Sequence, residues 1–490
     1  MEKEKFYITT TLPYVNSSPH IGFASELLRA DAVARYHKIL GKEIFFNTGT
    51  DEHGQKIHDK SVEEGVDTQS YVDRYADEFK KLIPELGILP EVHFVRTTDE
   101  HHIRAAQEMW RRCLSNVDEQ GRPDIYKAQQ VVKYCKGCEL EKTDSELEDG
   151  KCPLHPTNTI ELRDEENYFF RFSRYQKELL ELYTANPNFV VPDFRLNEIK
   201  KFVEGGLQDF SISRLKSKMP WGVLVPDDEE HSMYVWFDAL TNYISTLGWP
   251  EKDDFDGFWP GIQVAGKDNL RQQSAIWQAM LLSAKLPTSK QVVVGGFINS
   301  GGQKMSKSLG NVISPYELTA KYGTDATRYL LLRHVHPFED TDITWERLDE
   351  WYTANLVNGL GNLVSRVMKM SETHLESGVD IGKLDFDLRH EQNEIFRNEI
   401  ECFEIQKAMN SIWGEIQSVD FLIQAKEPFK AIKSEDEVIS SEAREIMMIL
   451  VYKIYYIAIQ LEPFMPETSR IILEAIQNNK KPENLFPRLP

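Results

Sequence analysis

Short apolar runs alternate with amphipathic stretches over the first hundred or so residues of the chain. Phe6-Tyr7-Ile8-Thr9-Thr10 and Glu43-Ile44-Phe45-Phe46 are strand-like, whereas Leu27 to Leu40 and Tyr71 to Ile83 repeat their apolar positions at helical spacing. Strand and helix in alternation predict a parallel sheet. From about Met109 to Pro226 the alternation is interrupted by a cysteine-bearing stretch and a mixed aromatic segment, Asn167-Tyr168-Phe169-Phe170-Arg171-Phe172, which predicts an inserted domain. Strands resume at Met233-Tyr234-Val235-Trp236, Gly261-Ile262-Gln263-Val264-Ala265 and Gln291-Val292-Val293-Val294, completing the sheet. Beyond about Trp351 the strand signals fade. Helical stretches at Val357 to Met370, Leu388 to Ile416, Glu442 to Leu461 and Pro466 to Ala475 predict an all-helical bundle, with Lys426-Glu427-Pro428-Phe429 as a break.

Composition narrows the class without naming a chemistry. A chain of 490 residues is long enough for about three domains, each with its own core. Hydrophobic content of 41% and charged content of 28% are globular values, and no apolar run approaches the ~20 residues that span a bilayer. The start, Met1-Glu2-Lys3-Glu4-Lys5, is charged and is followed by no apolar core of a signal peptide, so a cytoplasmic location without membrane partners is expected. A formal charge of -21 argues only weakly against a polyanionic partner, because a local basic groove can bind RNA on an acidic protein.

Five cysteines are too few for a disulfide scaffold of this size. Three cluster with a histidine: Cys135-Lys-Gly-Cys138, thirteen residues, then Cys152-Pro-Leu-His155. Each half has the two-residue spacing of a zinc knuckle, and the polar segment between has no core of its own, so a metal would supply its folding energy. One structural zinc on Cys135, Cys138, Cys152 and His155 is expected, the competing reading being a metal-free surface loop. Cys113 and Cys402 stand alone and are expected to pack as small apolar residues.

Two elements point to phosphate. Pro19-His20-Ile21-Gly22 opens a helix, whose N-terminus offers unpaired N–H groups to an anion; Gly22 leaves room at the backbone, and His20 is placed to donate to phosphate oxygens. Far downstream, Lys304-Met305-Ser306-Lys307-Ser308 follows a strand and Gly295, Gly296, Gly301 and Gly302: either a glycine hinge closing two lysines over a polyphosphate or a solvated basic loop. In this order and separation the pair resembles the signature of class I aminoacyl-tRNA synthetases. Over nearly the whole chain the match is to the methionyl-tRNA synthetase family. It is carried by Leu12-Pro13-Tyr14, Thr48-Gly49-Thr50-Asp51-Glu52-His53-Gly54, Ile212-Ser213-Arg214, Tyr234-Val235-Trp236-Phe237-Asp238-Ala239-Leu240 with Tyr243, Gly266-Lys267-Asp268 and Asn362-Leu363-Val364-Ser365-Arg366.

The resemblance implies the roles. Methionine would be bound by Leu12, Tyr14, Asp51, Trp236, Tyr243 and Gln273, with Asp51 receiving its ammonium. Thioether sulfur against aromatic rings gains roughly 0.3 to 1.5 kcal/mol, and Trp236 and Tyr243 are seven apart, two helical turns. For the same residues stand plainer readings: Asp51 as a helix cap, the aromatic stripe as ordinary core. ATP, with magnesium, would be bound by His20, Gly22, Gly266, Asp268, Lys304 and Lys307. Arg214 would reach the active site from the insertion, unless it is a surface salt bridge. Asn362, Arg366 and Phe429 would read the anticodon of tRNA(Met). Departures stand out at Phe23, where the first motif ends in histidine, and at Gln273, where the family commonly has histidine; Phe429 lies where the family often has tryptophan, and its ring can still stack on a base. No further extension follows the bundle, so a monomer is expected. The implied fold is α/β: a Rossmann-like parallel-sheet catalytic domain in two halves, 1–112 and 229–350, split by an inserted zinc-knuckle domain, 113–228, and followed by an all-α anticodon-binding bundle, 351–490. The implied activity is ATP-dependent activation of methionine to methionyl-adenylate and its transfer to tRNA. A nucleotidylyltransferase or another class I synthetase explains the phosphate motifs but not the aromatic set; a non-catalytic tRNA-binding relative has no need of an ATP site.

Overall fold

The computed structural model describes residues 3–137, 139–142, 147–251, 254–305, 311–375 and 394–489. Strands β1 (Lys5–Thr10), β2 (Glu43–Thr50) and β3 (Val92–Arg96) are separated by the helices Ile21–Ile39, Gln55–Glu63 and Thr68–Glu85. Between β3 and β12 the chain forms β4 (Ile125–Cys135), β5 (Leu140–Glu141), β6 (Ile160–Phe170), β7 (Val190–Val191) and β8 (Phe210–Ser211), then β9 (Ser213–Leu215), β10 (Leu224–Val225) and β11 (Asp228–Met233). The main sheet resumes with β12 (Ile262–Gly266) and β13 (Gln291–Gly295), and β14 (Ile298–Ser300), β15 (Gln303–Lys304) and β16 (Thr341–Asp342) form a small sheet beyond it.

The main sheet has the order β3-β2-β1-β12-β13-β7, with every neighbouring pair parallel. The central strands β1, β12 and β13 are buried on both faces, which is why they read as nearly continuous apolar runs, whereas the edge strand β3 is largely half-buried. The order reverses between β1 and β12, and in open parallel sheets that crevice at the carboxyl ends is where ligands bind. The edge strand β7 comes from the long segment between β3 and β12, so part of that segment joins the main sheet. One core under the sheet runs from the first helix through Tyr329, Leu330 and Leu331 into Trp413, Leu450 and Ile454 of the bundle. A second, on the other face, joins Tyr7 and Phe45 to Trp110, Phe170, Tyr243 and Trp277.

Two helices differ from the sequence expectation. The stretch from Leu388 to Ile416 is not one helix: 376–393 lie outside the described residues, and the rest divides into Glu394–Glu401 and Ile405–Lys426. Phe403 sits in the break at φ 60° with its ring buried. Left-handed backbone costs roughly 1 to 2 kcal/mol, which burial of a phenyl ring offsets. The helix expected to carry both Trp236 and Tyr243 is split into Val235–Ala239 and Asn242–Ser245. There the chain tightens to three-residue hydrogen bonds, Thr241 N to Asp238 O at 3.0 Å and Ile244 N to Thr241 O at 3.1 Å. The expected break at 426–429 is present: Glu427 caps the preceding helix in the left-handed region and Pro428 starts a short new turn. The last long helix, Glu437–Leu461, begins earlier than its apolar periodicity, because Asp436 accepts from the Val438 and Ile439 N–H groups. No helix among the described residues is long and apolar enough to cross a membrane.

Candidate active site

The loops leaving β1 and β2 are zipped together at the carboxyl edge of the sheet. Asp51 N donates to Pro13 O at 2.9 Å and Val15 N to Asp51 O at 3.1 Å, so Tyr14 and Asp51 sit side by side. Asp51 is 5% exposed, and its Oδ1 makes no hydrogen bond. Burial, then the nearby charges of Asp238 and Glu139, push its carboxyl well above the ordinary carboxylate range. It caps no helix: the helix that follows begins at Gln55 with Gly54 as its cap.

Asp238 is the contrasting acid. It is fully buried, which alone would raise it, but the imidazoles of His53 (Nδ1 to Oδ2, 2.6 Å) and His102 (Nε2 to Oδ1, 2.9 Å) hold its carboxyl down at about 2. Of these two neighbouring carboxylates one is matched by the protein and the other, Asp51, lacks a partner for an oxygen. A buried acceptor of that kind fits a cation supplied from outside. Neither histidine was singled out from the sequence, although His53 and Asp238 both lie inside motifs that were.

The aromatic wall is built on a polar scaffold. Tyr243 is buried, accepts from Gln273 Nε2 at 2.6 Å and meets Trp277 edge-on with ring centroids 5.8 Å apart. Gln273 in turn accepts from Gln263 Nε2 at 2.8 Å. An amide has both a donor and an acceptor, so Gln273 joins strand β12 to the tyrosine in a fixed direction without any protonation choice, which an imidazole would face. Trp236 is half-buried, as are Leu12 and Tyr14.

On the phosphate side, His20 caps the first helix: its Nδ1 accepts from Gly22 N at 3.0 Å, so the neutral ring carries its proton on Nε2. The room at Gly22 is taken by that imidazole, since a Cβ there would lie 2.8 Å from His20 Cε1, and not left open to a ligand as the sequence suggested. Gly266 plays the same part beside exposed Asp268, whose Oδ1 would be 2.8 Å from an added Cβ. Phe23 does not face the site at all; it is buried edge-on against Phe79 at 5.3 Å. Glu26, missed in the sequence, accepts from Thr11 N (2.8 Å) and Oγ1 (2.6 Å) where β1 ends, and burial lifts its carboxyl to about 7 against those two bonds. Lys304 ends β15, whose hairpin partner β14 is pinned to β16, with Gly302 N donating to Asp342 at 2.6 Å. Lys307 lies outside the described residues.

Arg214 is buried rather than a surface ion pair. Its guanidinium donates to Ser211 Oγ and Ser213 O, both at 2.6 Å, and lies over the rings of Tyr134 and Tyr234. The insertion reaches the same edge through Trp221, whose indole donates to Glu52 O at 2.6 Å. At the tip of the β4/β6 ribbon the donor atoms of Cys135, Cys152 and His155 lie within 4.8 Å of one another; Cys138 is outside the described residues. Two thiolates and an imidazole that close suit a tetrahedral ion. Away from the sheet, Asn362 is exposed and begins the helix Asn362–His374, and Arg366 pairs with Asp420 at 2.6 Å. Phe429 is 40% exposed on the short turn after the break.

Residues 6–158 and 120–368 match the family of class I tRNA synthetases (M). The methionine--tRNA ligase of Thermotoga maritima is 37% identical over 497 residues, covering 98% of this chain and 76% of that protein. That of Brucella suis is 35% identical over 488 residues, covering 97% and 92%. Among solved structures, Mycobacterium tuberculosis methionyl-tRNA synthetase in complex with methionyl-adenylate superimposes with a TM-score of 0.89 at 33% identity, over 96% of this chain and 93% of that one.

Proposed function

The chain belongs to the class I tRNA synthetases of the methionyl family, and we propose how its residues divide the work of activating methionine and charging tRNA. In the first step a methionine carboxylate oxygen attacks the α-phosphorus of ATP, the bond to the bridging oxygen breaks, and pyrophosphate leaves. In the second a ribose hydroxyl at the 3' end of the tRNA takes the methionyl group, losing its proton, and AMP leaves. Neither step needs a covalent enzyme nucleophile, so positioning and charge carry the rate.

The observation that supports this assignment best is the unmatched Oδ1 of buried Asp51 beside Tyr14 at the carboxyl edge of the sheet. Asp51 would take the methionine ammonium, with Leu12, Tyr14, Trp236 and Tyr243 around the side chain and Gln273 fixing Tyr243. His20 Nε2–H, the first helix N-terminus, Lys304 and Lys307 would stabilise charge growing toward pyrophosphate; Asp268 would accept from the ribose hydroxyls, with Gly266 at the turn. Magnesium accompanies ATP as part of the substrate. Arg214 reaches the same edge from the insertion. The experiment is pyrophosphate exchange into ATP with each amino acid singly and no tRNA. Exchange with methionine alone supports the assignment, and exchange with another amino acid overturns the pocket while keeping the chemistry.

Cys135, Cys138, Cys152 and His155 would hold one structural zinc, whose role is to fold a ribbon tip without a core. Elemental analysis should find about one zinc per chain; a fully folded zinc-free protein would sink the knuckle. Asn362, Arg366 and Phe429 would read the anticodon of tRNA(Met), the phenyl ring stacking on a splayed base. Arg366→Ala should lower tRNA charging roughly tenfold, the loss of one good base contact, with exchange unchanged; equal losses in both assays would mean a folding defect instead.

A further inference from the structure

Glu139 follows the second cysteine of the knuckle, has a left-handed backbone at φ 51° and is 8% exposed. An acid in that conformation at the end of a metal loop belongs in solvent on general grounds. Here it is buried against the methionine site and makes two separate tethers. Its carboxylate accepts from the Tyr14 hydroxyl, at 3.1 Å to Oε1 and 3.3 Å to Oε2. Its backbone carbonyl accepts from the Tyr234 hydroxyl at 2.5 Å. Tyr14 belongs to the loop after β1, and Tyr234 opens the segment that carries Trp236 and Asp238. One residue therefore holds both halves of the pocket wall.

The seat of the Tyr14 ring is narrow. Its hydroxyl would lie 2.4 Å from a Cβ on Gly54, and Glu139 Oε2 3.3 Å from the same point, so hydroxyl, carboxylate and Gly54 backbone converge. Gly54 has φ 116°, a conformation that suits glycine. A phenol has a single proton to donate, and giving it to Glu139 fixes the direction of the ring.

We propose that Glu139 is a positioning residue of the methionine site, through which the knuckle of the insertion sets the orientation of Tyr14. The proposal rests on Tyr14 lining that site. Glu139 need not touch the reacting atoms; it acts through the tyrosine. The knuckle, distant in sequence from both loops, thereby becomes part of substrate recognition.

The test is a set of four variants, Glu139→Ala, Glu139→Gln, Tyr14→Phe and the Tyr14→Phe/Glu139→Ala double, read by methionine-dependent pyrophosphate exchange and by calorimetric titration with methionine. Glu139→Ala should raise KM for methionine about fivefold to tenfold, the net loss of one hydrogen bond, with kcat within about twofold and KM for ATP unchanged. Glu139→Gln keeps an acceptor oxygen and should restore most of the affinity. The double variant should be no worse than the weaker single, because both remove the same bond. An unchanged KM in Glu139→Ala, a glutamine variant as weak as alanine, or effects that multiply in the double would each overturn the proposal. If Glu139→Ala does not fold, Tyr14→Phe, which leaves the knuckle intact, carries the same expected rise, and no rise overturns it. Failure of wild-type exchange with methionine would strike the pocket assignment itself, a different result from normal exchange that is insensitive to Glu139.

Discussion

Replacing Asp51 by asparagine should lower methionine-dependent pyrophosphate exchange by about two to four orders of magnitude while making the protein more stable. The two effects share a cause. The carboxylate is buried with one oxygen unmatched, so the folded chain without substrate bears a desolvation cost that a bound ammonium would relieve. Removing one partner of a buried ion pair costs about 3 to 5 kcal/mol, which sets the expected loss of activity. Without substrate the same change removes an uncompensated charge and should raise Tm by about one to two degrees, corresponding to roughly 1 to 2 kcal/mol. The pH dependence has a definite sign. Burial first, then Asp238 and Glu139, hold the folded-state pKa well above its ordinary value, so the folded chain binds this proton more tightly than the unfolded one. Stability therefore falls as pH rises between the two values, and the cost is complete above the folded one. The gain in Tm should be larger at about pH 8 than at about pH 5. Calorimetric melting of both proteins at the two pH values, beside the exchange assay, checks all three statements; an asparagine variant that melts earlier and exchanges normally would mean Asp51 is a structural acid.

Much of this arrangement could be read from the chain because catalytic chemistry leaves local patterns. The strand–helix alternation marks the sheet, and the segment from Thr48 to Gly54 marks Asp51, since strand ends in a parallel sheet carry ligands. The partners that give these residues their properties are remote, and single-chain spacing has no term for them. Nothing next to Glu139 announces that it bonds Tyr14, 125 positions away. His102 and Asp238 meet across 136 positions. Phe23 was legible as a departure but not in its meaning: the ring turns into the core against Phe79, so the position serves packing. The broken helices failed for another reason. Periodicity shows which residues are buried, but Phe403 is buried by a left-handed turn that apolar spacing does not distinguish from a helix.

Arg328 is a second case of remote partners, and Arg328→Ala should cost roughly 3 to 5 kcal/mol of stability. Its side chain is wholly buried and holds three parts of the molecule at once. Nη2 pairs with Asp31 of the first helix at 2.7 Å and donates to Pro463 O at 3.1 Å; Nε donates to Phe464 O at 2.6 Å; Nη1 donates to Leu86 O at 3.0 Å. Truncation leaves those carbonyls without this donor in a dry site, and Asp31 keeps only Arg35, at 2.7 Å, and the Leu89 N–H. Burial lowers the Arg328 pKa against the opposing pull of Asp31 and, more weakly, Asp325. Lysine should not rescue, because a single ammonium lacks the planar fork that serves helix, loop and bundle turn together. The turn at Pro463 and Phe464 lies in the bundle, whereas Asp31 and Leu86 belong to the sheet domain, so Arg328 is a joint between them. At a temperature where Arg328→Ala remains folded, tRNA charging should therefore fall more than pyrophosphate exchange, since under the anticodon-reading role proposed for the bundle only charging needs it held at a fixed distance from the site. Urea unfolding and the ratio of the two rates measure this; a midpoint unchanged from wild type, or equal losses in both assays, would show that the helical core alone fixes the bundle in place.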